Sequence, residues 1–182
     1  MIKKFAAVST VLITLSLTTC VSSASVAEVY GPPLQFNIIP QEESDLLKQI
    51  ETDANDKKME SVLKELKSYE GKTPYVFSGS SPRWGWDCSG LVLWTYEQFG
   101  ITLQHSATKQ AHSGKRVSYK NAKPGDIVTF SYGSDYWFYH AAIYLGNGII
   151  IDANREYGTT VIQPLKNFSN SEIRFIRILE TN

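Results

Sequence analysis

Three residues of this 182-residue chain combine the side-chain types that thiol chemistry needs: Cys88, His140 and Asp152. A thiol reacts as the thiolate, and the first turn of a helix favours that form. Unpaired N–H groups and the positive end of the helix dipole act there together. Cys88 directly follows Asp87, a good N-cap, and the helix it opens is terminated by Gly100. Cys88, Val92, Tyr96 and Phe99 fall at helical spacing on its buried face. On position alone, a small buried apolar residue explains such a cysteine as well as a nucleophile does.

A nucleophile also needs a base. His105 and His112 lie around a short polar helix predicted over 106–113, where exposure accounts for them. His140 instead opens the apolar strand His140-Ala-Ala-Ile-Tyr-Leu145, an odd place for a titratable ring without polar work to do. The next strand, Ile149-Ile-Ile-Asp-Ala153, carries a second anomaly in Asp152, since a buried carboxylate is costly unless paired. The intervening turn decides whether the two can meet. A two-residue Asn147-Gly148 turn sets 143 opposite 152 and puts the aspartate on the wrong face. A three-residue loop over 146–148 sets 142 opposite 152 and makes His140 and Asp152 diagonal neighbours on one face. Only the second register satisfies both polar groups, and it is the one expected. The imidazole would then take the thiol proton while the carboxylate fixes the ring's tautomer and stabilises the imidazolium.

The elements that must position these groups change type along the chain. Helix candidates come first, over 44–50, 56–68, 88–99 and 106–113. The stripe Met59, Val62, Leu63 and Leu66 marks the second, and Gly71 follows its end. After Gly125, strands are predicted over 126–131, 136–145, 149–154, 159–165 and 172–179. Helices first and strands later indicate an α+β fold with an antiparallel sheet of about five strands.

Composition bounds the rest. Hydrophobic residues make up 42% of the chain, which suits a globular domain, and 18 basic residues balance 18 acidic ones. With no Lys/Arg run, nucleic-acid binding is not expected. A single cysteine outside the N-terminal segment, without paired Cys/His spacing, argues against a zinc site, and neither a metal nor another cofactor is expected. No G-x-S-x-G elbow or phosphate-cradling glycine loop is present.

Residues 1–27 have the grammar of a secretory signal peptide. Lys3 and Lys4 precede the apolar run Phe5 to Leu17, and small residues cluster from Ser22 to Ala27. Cleavage after Ala27 or Ala24 leaves a mature chain with no membrane span and Cys88 as its lone thiol. Leu17-Thr18-Thr19-Cys20 loosely resembles a lipobox, but Thr19 is a poor residue before a lipidated cysteine. The expected location is outside the cell or in its envelope. Residues 28–55, with Gly31, Pro32, Pro33 and Pro40, are expected to form a linker or N-terminal arm ahead of a domain over 56–182.

Four segments then resemble, in order, the NlpC family of bacterial cell-wall cysteine peptidases. They are Gly71-Lys-Thr-Pro-Tyr-Val-Phe-Ser-Gly79, Asp87-Cys-Ser-Gly-Leu-Val92, Pro124-Gly-Asp126 and His140-Ala-Ala-Ile-Tyr-Leu-Gly-Asn-Gly148, and the likeness spans about residues 56–178. The resemblance implies a papain-like core and hydrolysis of the D-γ-glutamyl–diamino acid bond in peptidoglycan stem peptides. It implies Cys88 as nucleophile and His140 as base. Asp152 stands at the third polar position, where the family usually has His and sometimes Asn or Gln. Tyr75 matches a tyrosine whose hydroxyl lies beside the cysteine. Asp87 and Ser89 match positions that hold the substrate's N-terminal amine in relatives acting on free stems. Trp84 and Trp86 are candidates to line the cleft, Trp86 being placed in the substrate-binding set with Tyr75, Asp87 and Ser89. Two other activities fit the same residues: a non-catalytic wall-binding module, and thiol-dependent acyl or amide transfer.

Overall fold

The computed structural model describes residues 40–181. The expected signal peptide, Cys20 and the start of the arm lie outside the described residues. The first helix, α1, runs Gln41–Lys67 and joins the two predicted helices of 44–50 and 56–68. No Gly or Pro interrupts 51–55, and the i, i+4 bond from Gln49 Nε2 to Asp53 Oδ1 (2.8 Å) bridges that stretch. Glu42 and Glu43 in the first turn and Lys64 and Lys67 in the last complement the helix dipole. Residues 41–55, within the segment expected to be a linker or arm, are therefore helical and largely exposed, and the buried face of the helix begins at Met59. There Met59, Val62, Leu63 and Leu66 are buried, each burial contributing roughly 1.5–3 kcal/mol.

A two-stranded ribbon, β1 (Ser80–Ser81) and β2 (Gly85–Trp86), leads into α2 (Cys88–Glu97). The short α3 covers only Ala107–Gln110 of the predicted 106–113. The strands β3 (Lys115–Val117), β4 (Ile127–Ser131), β5 (His140–Gly146), β6 (Ile149–Asn154), β7 (Thr159–Pro164) and β8 (Glu172–Arg177) form one antiparallel sheet in the order β3-β8-β4-β5-β6-β7. The α+β class is as expected, with six strands in place of about five. The added β3 is a short, largely exposed edge strand, Lys-Arg-Val, that carries no apolar alternation for a sequence reading to catch.

Strand alternation divides the core. Ile127, Ala141, Ile143, Ile151 and Ile176 face α1 and α2. Val128, Phe130, Ala142, Tyr144, Ile150 and Phe175 form the second layer on the opposite face, beneath Phe168. The strand expected from 136 begins at His140, because 136–138 bond elsewhere: the Phe138 N–H goes to Thr108 Oγ1 at 3.0 Å.

Candidate active site

Asp87 caps α2 and holds the loop before it. Its Oδ1 accepts from Gly90 N–H (2.8 Å), the Ser89 hydroxyl (2.9 Å) and His105 Nε2 (2.9 Å), while Oδ2 accepts from Ser78 N–H (2.9 Å). Gly90 lets the 76–79 loop lie against the first turn, since a Cβ there would stand 1.9 Å from the Gly79 carbonyl oxygen. These contacts fix Cys88 as the first residue of α2, partly exposed, at the cleft.

The β5–β6 hairpin supplies the other two groups. Ile143 pairs with Ile151, which aligns 142 with 152 and 140 with 154, the register expected. The route differs from the expected three-residue loop. Asn147 (φ 53°) and Gly148 (φ 72°) make a two-residue turn with both central residues left-handed, and a one-residue bulge between Tyr144 and Gly146 restores the frame. His140 and Asp152 consequently share a face, with His140 Nε2 2.8 Å from Asp152 Oδ2.

Asp152 is fully buried and satisfied by three donors. Besides the imidazole, Gln163 Nε2 donates to Oδ1 at 2.8 Å and Asn154 Nδ2 to Oδ2 at 3.3 Å. Asn167 Nδ2 in turn donates to Gln163 Oε1 at 3.1 Å, which fixes the Gln163 amide with its N–H toward the carboxylate. Asp152 occupies Nε2 of the ring, leaving Nδ1 as the nitrogen available to Cys88, which lines the same cleft and whose proximity contributes to the His140 electrostatics. Burial works to lower the His140 pKa. Hydrogen bonds to Asp152 and Cys88, with the charges of both, outweigh it and raise the pKa to about 9. The imidazolium is thus the favoured form at neutral pH, as a thiolate–imidazolium pair requires. The ring is also held mechanically, stacked against Phe168 with centroids 5.5 Å apart.

Tyr75 lines the same cleft of ≈ 970 Å³ as Cys88 and His140. Burial first, then the charges of Cys88 and Asp87, raise its pKa, so the phenol stays a proton donor. The other expected substrate contacts are not at the cleft. Trp86 is fully buried: its Nε1–H donates to Thr160 Oγ1 at 2.7 Å, and Tyr69 packs edge-on against it with centroids 5.4 Å apart. It is a core residue, because β2 turns its side chain inward beneath α2. Trp84 is exposed, stacked under Arg83, and lies outside the cleft lining. Asp87 and Ser89 are both buried and bonded to each other, and neither lines the cleft. His105 is no idle surface residue, since it anchors the cap of the nucleophile's helix.

Gln163, Asn154 and His105 escaped the sequence reading. Gln163 could have been flagged as a polar residue within a strand, but nothing local says that it faces Asp152. Among the described residues no cluster of three His, Cys, Asp or Glu side chains is arranged to hold a metal ion.

Comparison with known proteins agrees with this geometry. The NlpC/P60 family model matches residues 71–176. The chain is 41% identical over 117 residues to the gamma-DL-glutamyl hydrolase of Bacillus subtilis, covering 64% of this chain and 28% of that protein. It is 44% identical over 98 residues to the bifunctional muramidase/DL-endopeptidase CwlT of the same organism, covering 52% and 29%. The chain therefore spans less than a third of the length of either relative. Among solved structures, the NlpC/p60 domain of the peptidoglycan hydrolase SagA superposes with a TM-score of 0.57 at 30% identity, covering 66% of this chain and 98% of that one.

Proposed function

The chain belongs to the NlpC/P60 family, and from that premise we propose that it is a cysteine endopeptidase of peptidoglycan stem peptides, cutting the D-γ-glutamyl–diamino acid bond. The observation that carries this reading is that Cys88 and His140 line one open cleft while buried Asp152 holds the imidazole from behind at 2.8 Å. The name of one Bacillus relative, a gamma-DL-glutamyl hydrolase, points to the same bond type, and that of the other, a muramidase/DL-endopeptidase, to an endopeptidase.

In the proposed mechanism the thiol proton already resides on the His140 imidazolium, and the Cys88 thiolate attacks the γ-carbonyl carbon. The carbonyl electrons move to oxygen, where the Tyr75 hydroxyl and the Cys88 N–H at the start of α2 can donate. Collapse breaks the C–N bond, and the departing amine takes the proton from the imidazolium. Water, deprotonated by His140, then attacks the thioester, and the thiol is regenerated as the acid product leaves. Asp152 keeps its negative charge throughout and steadies the ring as charge comes and goes.

Because Asp87 and Ser89 are spent on capping α2, the groups that would hold a free N-terminal amine are not at the cleft. This favours stems still attached at that end, and so an endopeptidase. Export directed by residues 1–27 completes the proposal and would bring the enzyme to its substrate. A mature N-terminus near Glu28 or Ser25 in protein recovered outside the cytoplasm supports it, and a lipid on Cys20 would overturn that cleavage site in favour of a lipid-anchored form. The decisive experiment incubates the enzyme and Cys88→Ala with defined muropeptides and reads the products by mass. Hydrolysis adds one water across the cleaved bond, transfer yields an amine adduct, and a binding module leaves the masses unchanged.

A further inference from the structure

The cleft contains one cationic side chain that the catalytic steps do not use. Arg155 lines it together with Tyr75, Cys88 and His140, and is the only guanidinium or ammonium among the described residues that do so. It takes no part in the ion pairs His105–Asp87, His140–Asp152, Arg174–Asp135 and Arg177–Asp126. An exposed arginine on an open surface would call for no explanation, but this one sits on a turn tied to the reaction centre from both sides. Asn154 Oδ1 accepts from Glu156 N–H (2.9 Å) and Tyr157 N–H (3.2 Å), closing the turn, while the same residue's Nδ2 donates to Asp152 at 3.3 Å. On the other side the Tyr75 N–H donates to the Gly158 carbonyl at 2.9 Å. The positive charge of Arg155 is felt at the Tyr75 phenol, where it opposes the charges of Cys88 and Asp87.

A γ-linked glutamyl residue carries a free α-carboxylate four bonds from its scissile carbonyl carbon. A planar guanidinium is the side chain best matched to such a group, through two parallel N–H···O bonds. We propose that Arg155 binds the free α-carboxylate of the γ-glutamyl residue on the acyl side of the scissile bond, and that this contact makes the enzyme discriminate against stems whose carboxylate is amidated. The inference rests on the γ-glutamyl hydrolase reading given above. Glu156 also lines the cleft, but its part in the turn is played by its backbone N–H.

The test compares two synthetic stem peptides that differ only in that group, one with γ-D-glutamate and one with its α-amide. Wild type should cleave the acid form with kcat/KM about 10- to 100-fold higher, the range expected of a hydrogen-bonded charge pair. Arg155→Met should bring the two substrates to within about threefold of each other, Arg155→Lys should keep part of the preference, and Glu156→Gln should keep it. A preference unchanged in Arg155→Met, or absent from wild type, overturns the proposal. Calorimetric binding of both peptides to Cys88→Ala, with and without Arg155→Met, reads the same discrimination without turnover. Intact carboxylate discrimination by that route with no cleavage by wild type would sink the hydrolase reading and leave the Arg155 assignment standing. The reverse pattern, cleavage of both peptides at equal rates, would do the opposite. A γ-linked glutamate oligomer as third substrate distinguishes a stem from a γ-glutamyl polymer as the source of the carboxylate. Arg155-dependent cleavage of either supports the assignment.

Discussion

His140 Nε2 and Asp152 Oδ2 stand 2.8 Å apart across two neighbouring strands, and the carboxylate is completely shielded from water. A buried charge with three hydrogen-bond donors is stable only while those donors remain, so the pair couples the fold of β6 and β7 to the state of the imidazole. Asp152→Asn keeps the shape but loses the charge, and turns an N–H₂ toward at least one group that is itself a donor. A fall in kcat of at least about tenfold is expected, within the range of positioned acid–base groups. Asp152→Ala should be worse, and should also lower the thermal midpoint, since the Gln163 and Asn154 amides lose their acceptor at about 1–3 kcal/mol per buried orphan. Activity of Asp152→Ala equal to wild type would remove this residue from the catalytic set.

Cys88→Ala and Cys88→Ser should abolish cleavage and leave the fold intact. A small residue at the first position of α2 keeps the Asp87 cap and creates little cavity. Mass-resolved digestion alongside circular dichroism separates the two effects, and retained turnover in Cys88→Ala would end the thiol mechanism.

The raised His140 pKa predicts the shape of the pH profile. With the imidazolium persisting to about pH 9, kcat/KM should fall on the alkaline side near that value and not near 6.5. The same shift makes a stability claim. A folded-state pKa above the unfolded one stabilises fully below the unfolded value, and that contribution is lost as pH rises through about 9. NMR titration of the ring in Cys88→Ala should find a lower pKa than in wild type. An alkaline limb near 6.5 in wild type would contradict the electrostatics described.

Gly90→Ala tests how closely the 76–79 loop must approach α2. The added methyl would collide with the Gly79 carbonyl, which is backbone and cannot swing aside. A loss of roughly 1–3 kcal/mol or more is expected from overpacking, with the nucleophile displaced and activity lost beyond what the stability change accounts for. Thermal melts with assays well below the midpoint check both parts.

Asp87→Ala should cost more than the ~1 kcal/mol typical of a helix cap, because four donors share this one carboxylate. His105→Ala removes only one of the four and should be the milder change. Chemical denaturation of the two variants would show the order, and equal midpoints would refute the role assigned to His105.

What the sequence determined about this protein is what local chemistry and periodicity can fix. Asp87 before Cys88 fixes a capped helix start, the alternation in 140–145 and 149–154 fixes a hairpin, and two polar residues in apolar strands require a register that lets them meet. That register followed from energetic cost alone, even though the hairpin reaches it by a two-residue turn and a bulge at 144–146 in place of the longer loop. Only the tertiary structure decided the direction of residues whose partners are distant in the chain. Trp86 reads as a cleft aromatic until its indole N–H is seen to meet Thr160, 74 positions away. Asp87 reads as free to bind substrate until Ser78 and His105 close on it from two loops. Gln163 acquires its role from the pairing of β7 with β6, and Arg155 from a turn pinned between Asp152 and Tyr75. Periodicity says which face a side chain takes, whereas what lies across that face depends on how the elements stack, and no local pattern along the chain encodes that.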